Sequence, residues 1–203
     1  MHKGKIFGLG LLLPMVSSPS AWNIVRQHSP PFEFQKLIWY PSHCPKMSIC
    51  LLIALQHKLL TQDWLVKYGI LQNNVCPLYK LCPETVDHLC FECNYAKYTW
   101  VVCKLKLGLT QQVSVLVEEA RVIMNQFSTK SKASALAKLA LGAAVWHVWK
   151  VRNSRIFEHQ ELSSMHRSQK LRQDILVLVH GTSWKEDKDV AKAKLLQSWA
   201  IPV

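Results

Sequence analysis

Residues 76–93, CPLYKLCPETVDHLCFEC, concentrate four cysteines and one histidine in eighteen positions. Thiolate sulfur and imidazole nitrogen are ligands that Zn²⁺ prefers, and a structural zinc site takes four ligands from short turns of the chain. The segment therefore has the composition of a zinc site. A regular Cys-x2-Cys turn would supply half of that site, but Tyr79 stands where the second sulfur is expected.

The spacing of the candidate ligands favours four of the five. His88 and Cys93 are separated by four residues, and Cys82 lies six residues from both Cys76 and His88. Cys90 lies two residues after His88, so the two side chains share a face on a strand and diverge on a helix. We interpret Cys90 as a packing residue. The predicted zinc ligands are Cys76, Cys82, His88 and Cys93, and the alternative is that these small side chains pack among leucines without a metal.

The number and grouping of the cysteines bear on the cellular compartment. The total of seven is odd, so a fully disulfide-bonded chain would leave one cysteine unpaired. Clustered cysteines beside a histidine suit a metal site in a reducing compartment better than a disulfide framework. The first residues, MHKGKIFGLGLLLPMVSSPSA, have the outline of a secretory signal peptide, although Pro14 interrupts the apolar run. We favour a nuclear or cytoplasmic location and keep a secreted basic helical protein as an alternative.

The charge of the chain indicates an anionic partner. The chain has 25 Lys and Arg against 13 Asp and Glu, a formal net charge of +12. Residues 94–155 contain ten basic and two acidic side chains, so the excess begins directly after the cysteine segment. Such a basic surface favours nucleic acid or acidic membrane, but no segment reads as a membrane span. We expect RNA or DNA, bound with weak sequence specificity, and neither a membrane nor a small-molecule substrate.

The elements that must position these side chains are predicted to be helices. Apolar residues recur at helical spacing through most of the chain after residue 48. Thr61 is the predicted N-cap of a short helix that Gly69 ends. The fold class is therefore mainly α, with a small zinc-knuckle-like turn embedded among helices and a helical C-terminal region. The predicted helical segments are 49–70, as helix, turn and helix, then 94–109, 113–127, 131–157 and 163–180, with a short helix at the end of the tail.

Several motifs in order resemble one known family. They are Trp39, CPKMS at 44–48, LLTQDWL at 59–65, Gly69, CPLYKLCPETVDHLCFECNYA at 76–96, Trp100, and VWHVWKVRNSRIF at 145–157. Their order resembles the reverse transcriptase zinc-binding domain of plant LINE-type retrotransposons and the Trp-x2-Arg-Asn-x3-Phe helix that usually follows it. The resemblance implies three regions: an unmatched leader at 1–20, the zinc-binding domain at 21–108, and a helical C-terminal extension at 109–203.

The resemblance also implies a ligand set and a role. The family's ligands fall on Cys76, His88 and Cys93, and the fourth falls on Tyr79, so Zn²⁺ is the implied cofactor and its binding is weakened. The module normally follows a reverse transcriptase. Paired catalytic aspartates and a Gly-rich phosphate loop are both missing from the sequence, so we expect no enzyme activity.

The expected function is that of a non-catalytic, zinc-binding accessory module that contacts nucleic acid. Aromatic side chains at Tyr95, Tyr98 and Trp100 are candidates for base stacking, with core packing as the alternative. The second hypothesis is a degenerate retroelement remnant with no independent activity. The predicted phosphate contacts are Lys97, Lys104, Lys106, Lys150, Arg152 and Arg155.

Overall fold

The computed structural model describes residues 32–128, 130–159, 164–180 and 197–199. The predicted leader and most of the predicted tail lie outside the described residues. The chain divides into two compact units, 1–33 and 34–203. The helices that the structure describes belong to the second unit.

The described residues form helices and contain no strand, which confirms the predicted mainly α fold. One five-residue π-helical turn interrupts the series of α-helices. It lies in the cysteine segment, between α3 and α4. The elements in chain order are α1 Gln35–Ile38, α2 Pro45–Leu55, α3 Gln62–Lys67, the π-helical turn His88–Glu92, α4 Asn94–Lys106, α5 Leu116–Gln126, α6 Lys132–Phe157 and α7 Ser164–His180.

The short helix α3 begins and ends where the sequence predicts, but the Thr61 side chain does not cap it. Gly69 has a φ of 69°, and its N–H donates to the Val66 carbonyl while the Ile70 N–H donates to the Leu65 carbonyl. These two bonds form a Schellman motif, which requires a left-handed residue at the glycine position. At the other end Thr61 occupies the N-cap position, but its side chain makes no capping bond. The predicted N-cap position is therefore confirmed, although the Thr61 hydroxyl does not make the capping bond.

The long helix α6 is the centre of the unit. Helices α2, α4, α5 and α7 and the π-helical turn all pack against it. Its alanines, leucines and valines between residues 133 and 151 are buried by these neighbours. Ser131 caps it, since the Ser131 hydroxyl accepts the Ser134 N–H at 3.1 Å. Across the described ranges, each helix is either too short or too polar to cross a bilayer.

The helices after residue 108 pack directly on the cysteine segment and its neighbours. Helix α6 contacts the π-helical turn and α4, and α7 contacts both α4 and α6. The predicted domain boundary at residue 108 stays a prediction. Helices on both sides of that boundary therefore pack around the cysteine segment.

Candidate metal centre

The first part of the site is a tight turn that begins at Cys76. The Lys80 N–H donates to the Cys76 carbonyl at 2.8 Å, and the Cys76 N–H donates to the Cys82 carbonyl at 2.8 Å. The Cys76 sulfur accepts hydrogen bonds from the backbone N–H groups of Leu78 and Tyr79. Such bonds favour a thiolate, because they bring positive dipoles to the sulfur. The turn thus has the form of a zinc knuckle, although Tyr79 replaces its second cysteine.

The second part of the site is the π-helical turn. The Cys93 N–H donates to the His88 carbonyl at 2.6 Å, an i to i+5 bond. In an α-helix this spacing would place the two side chains about 140° apart around the axis. The π-helical turn is wider, because its hydrogen bond joins residues five positions apart. It therefore brings the side chains of His88 and Cys93 to one side. Thr85 holds its start, since the Thr85 hydroxyl accepts the His88 N–H at 3.1 Å.

The two turns bring three predicted ligands together. One ligand atom from each of Cys76, His88 and Cys93 lies within 4.8 Å of the other two, and all three residues are buried. We call these residues the Cys–His cluster. The Cys76 and Cys93 sulfurs are 3.9 Å apart. Two sulfurs bound to one tetrahedral zinc at the usual bond length are about 3.8 Å apart, so the cluster fits zinc.

The imidazole of His88 provides an independent observation for a metal. The Nε2 atom of His88 is buried, and no hydrogen-bond partner is found for it among the described residues. An unsatisfied buried polar atom costs about 1–3 kcal/mol. A metal bound to Nε2 would remove that cost and would act there as a structural cross-link. The donor set of two sulfurs and one imidazole nitrogen is one that zinc prefers.

The two sulfurs differ in their proton affinity. A hydrogen bond from the Cys76 thiol, supported by backbone N–H groups and the Arg155 guanidinium, lowers the pKa of Cys93 to about 6, although burial opposes the shift. The same hydrogen bond and burial raise the pKa of Cys76. The shared hydrogen bond thus favours a thiolate at Cys93 over one at Cys76.

The fourth predicted ligand lies apart from the cluster. The Cys82 side chain is exposed, although its carbonyl is bonded to the Cys76 N–H. Tyr79, at the position implied by the resemblance, is 39% exposed. Cys90 is buried outside the cluster, where burial raises its pKa, and this agrees with a packing residue. The described residues thus supply three ligands to the cluster, and a role for Cys82 stays a prediction.

A buried ion pair connects the cysteine segment to α6. Arg152 Nε and Nη2 donate to the two carboxylate oxygens of Glu84, each at 2.9 Å. Glu84 is 0% exposed and Arg152 is 3% exposed. The same carboxylate accepts the Gln62 N–H at 2.7 Å, so Glu84 takes the capping role expected of Thr61 at the start of α3. One side chain therefore joins α3, the cysteine segment and α6.

Lys104 and Arg152, two of the predicted phosphate contacts, are buried and paired inside the protein. Arg152 is enclosed with Glu84. Lys104 is 2% exposed, and its ammonium donates to both carboxylate oxygens of Glu119 at 2.9 Å. Trp100 donates from Nε1 to the same carboxylate at 2.9 Å. A charge that is desolvated and paired inside the protein does not face a phosphate, so Lys104 and Arg152 stabilise the fold instead.

The remaining four predicted phosphate contacts differ in exposure. Lys97 and Lys150 are exposed. Lys106 is half-buried and donates to the Ser198 carbonyl at 2.7 Å, and burial together with the nearby Arg172 charge lowers its pKa. Arg155 is half-buried as well, so Lys97 and Lys150 are the two that present their full charge to solvent.

Arg155 has a role that its sequence position alone did not reveal. Its guanidinium donates to the Leu78 carbonyl at 2.8 Å and lies over the Tyr95 ring at 4.4 Å. It therefore holds the Cys76 turn against α4. Arg152 and Arg155 are three residues apart and share one face of α6. This three-residue spacing is the sequence feature that could have predicted that both arginines contact the cysteine segment.

Comparison with known families supports the same interpretation. The model of the family described as zinc-binding in reverse transcriptase matches residues 16–100, which contain the whole Cys–His cluster. Searches of curated proteins and of solved structures return no match. Together with the cluster, which suggests zinc, the match supports the assignment of residues 16–100 to the reverse transcriptase zinc-binding family.

Proposed function

We propose that the protein is a non-catalytic zinc-binding module, derived from the reverse transcriptase of a plant LINE-type retrotransposon, that contacts RNA or DNA. The observation that carries the proposal is the buried Cys–His cluster, together with the buried His88 Nε2, for which the described residues offer no hydrogen-bond partner. Cys76, His88 and Cys93 would hold the ion. The decisive first experiment is the zinc content of the purified chain, with about one ion per chain expected.

The position of the cluster indicates what the ion would do. Cys76 and Cys93 belong to an apolar group that also contains Leu89 from the π-helical turn and Val148 and Val151 from α6. A bound ion would join the Cys76 turn to the π-helical turn across this group. Binding of a ligand to the native state alone raises stability. Zinc would therefore keep the helices on either side of the segment in place.

Replacing Tyr79 by cysteine is expected to raise the zinc affinity of the module. The Tyr79 N–H already donates to the Cys76 sulfur, so the turn has the geometry that directs a residue at this position toward the cluster. A thiolate is a far better zinc ligand than a neutral phenol. The affinity is measured by competition with a chromophoric chelator.

Tyr98→Cys is the matched control, because Tyr98 is exposed on α4 and lies outside the cluster. Equal affinities for Tyr79→Cys, Tyr98→Cys and the unaltered protein would show that the turn cannot direct a second sulfur to the ion.

The nucleic-acid part of the proposal is supported by the exposed charge near the cluster. Lys97 lies one turn into α4, and Lys150 lies on α6 close in sequence to Arg152 and Arg155. Phosphate contacts release counterions, so the affinity for single strands should fall as salt rises. In a plot of log affinity against log salt concentration, each contact should contribute about −0.7 to the slope. We expect measurable binding of single-stranded RNA and DNA oligonucleotides at low salt and a steep decrease toward physiological salt.

The Lys97→Gln variant is expected to reduce that slope by about 0.7. Lys170→Gln is the control, since Lys170 is exposed on α7 but already pairs with Asp174 at 3.2 Å. Fluorescence anisotropy over a salt series measures both. Undetectable binding at low salt, or a slope near zero, would contradict a role in nucleic-acid binding.

Two observations favour the second candidate function, a degenerate remnant that folds but has lost its metal. Tyr79 supplies a phenol instead of a thiol, and the Cys82 side chain is exposed. A remnant would contain no zinc after purification from zinc-supplemented medium. It would also show the same melting temperature with and without added zinc.

A further inference from the structure

Helix α3 presents an aromatic pair with a lysine beside it. The rings of Trp64 and Tyr68 are stacked, with centroids 5.4 Å apart and planes at 21°. The Lys67 ammonium lies 5.2 Å from the Trp64 ring centroid. Tyr68 is 64% exposed. We call Trp64, Lys67 and Tyr68 the α3 platform.

The platform is held in one conformation by several contacts. Trp64 Nε1 donates to the His57 carbonyl at 2.7 Å, which sets the plane of the indole. Tyr68 is the C-cap residue of α3, and the Schellman motif directly after it fixes its backbone. At the other end Glu84 caps α3 and pairs with Arg152. The aromatic pair is thus preorganised, which reduces the entropy lost when a ligand binds.

The charge of the segment that contains the platform is complementary to phosphate. Residues 56–83 contain three lysines, at 58, 67 and 80, and a single acidic residue, Asp63. The three lysines are exposed, whereas Asp63 is half-buried and accepts a hydrogen bond from the Thr61 hydroxyl. An exposed aromatic face with exposed lysines nearby is the arrangement on which unpaired bases stack in single-strand binding proteins.

We propose that the α3 platform stacks an unpaired base of single-stranded RNA or DNA on Tyr68, with Lys67 beside the flanking phosphate. The inference rests on the proposed nucleic-acid function and assigns it a second surface. The bases of a duplex are already stacked within the helix, so the platform distinguishes single strands from duplexes. RNA and DNA present the same base faces and phosphates, and the experiment includes both.

Other contacts occupy two of the three aromatic residues that are predicted candidates for base stacking. Trp100 is 0% exposed and donates to Glu119 inside the unit. Tyr95 is half-buried with Arg155 over its ring. Tyr98 is 46% exposed and is the remaining candidate of the three. Tyr98→Ala is therefore the comparison that decides which of the two exposed tyrosines stacks a base.

The test compares Tyr68→Ala, Tyr68→Phe and Tyr98→Ala by anisotropy with labelled oligo(U) and oligo(dT) and with a duplex of equal length. Loss of one stacked base costs about 1–3 kcal/mol, so Tyr68→Ala is expected to weaken single-strand binding about 5- to 150-fold. Tyr68→Phe keeps the ring and should bind like the unaltered protein. Tyr98→Ala should change the affinity less than about twofold, and melting temperatures should stay equal because both tyrosines are exposed.

The outcomes of this test separate the inference from the proposed function. If the unaltered protein binds neither oligonucleotide, the proposed function fails and the platform proposal fails with it. If it binds, but Tyr68→Ala binds single strands as tightly as the unaltered protein, the platform alone is excluded. Duplex binding as tight as single-strand binding also overturns it. Sedimentation could instead show that the unaltered protein is a dimer and that Tyr68→Ala dissociates it. That result would also overturn the proposal, because the platform would then bind a second copy of the chain.

Discussion

Replacing Arg152 by glutamine is expected to lower the free energy of unfolding by about 3–5 kcal/mol, because the change leaves the Glu84 carboxylate buried without its charged partner. Both side chains are almost fully enclosed, and two hydrogen bonds of 2.9 Å join them. The loss is large relative to the stability of a typical domain, about 5–15 kcal/mol. Denaturant unfolding followed by fluorescence measures it.

Lys150→Gln is the matched control for Arg152→Gln. Lys150 is exposed on the same helix two residues earlier, so the change should stay within about 0.5 kcal/mol. A double variant, Glu84→Met with Arg152→Met, should recover part of the loss, since it leaves no unpaired buried charge. If the Arg152→Gln variant were as stable as the Lys150→Gln variant, the burial of the Glu84–Arg152 pair would be contradicted. Arg152 would then again be a candidate phosphate contact.

The Cys93→Ser variant is expected to lose zinc-dependent stability. Loss of an outer hydrogen-bond partner costs about 10- to 100-fold in metal affinity, and loss of a ligand should cost more. For the unaltered protein, added zinc should raise the melting temperature by mass action. For Cys93→Ser it should not, because the hydroxyl that replaces the thiolate is a poor zinc ligand. Thermal scans with and without zinc, together with chelator competition, measure the difference.

The Cys82→Ser variant completes this experiment. With its side chain exposed outside the cluster, Cys82 should be replaceable with no change in zinc affinity. A loss equal to that of Cys93→Ser would show that Cys82 moves to the ion as the fourth ligand, as its spacing predicts. If zinc stabilises neither the unaltered protein nor either variant, the Cys–His cluster is not a metal site.

The Glu84–Arg152 ion pair holds the cysteine segment in place, and a metal bound at the Cys–His cluster would add a second connection. The cluster would join the Cys76 turn to the π-helical turn, and the Glu84–Arg152 pair joins the segment to α3 and α6. Arg155 adds a third connection through the Leu78 carbonyl. A chain without zinc would therefore keep part of its fold. Stability measurements must accordingly separate the metal from the ion pair.

Much of the local structure could be predicted from the sequence because it depends on short-range effects. Apolar residues at helical spacing predicted the long helices, and α6 and α7 begin within one residue of the predicted starts. Gly69 predicted the end of α3, since few other residues adopt a positive φ there. Cysteine and histidine spacing predicted Cys76, His88 and Cys93, which two short turns bring together.

The tertiary structure alone decided what the charged side chains do, because burial depends on contacts between residues far apart in the chain. Arg152 pairs with Glu84 across 68 positions, and Lys104 pairs with Glu119 across fifteen. Sequence patterns treat both as surface cations, yet packing against α6 and α5 encloses them. The same packing exposes the Cys82 side chain and leaves the Trp64–Tyr68 pair at the surface. Residue types and spacing thus determined the helices and the cluster, whereas the packing of the helices determined which charges and rings remain available to a partner.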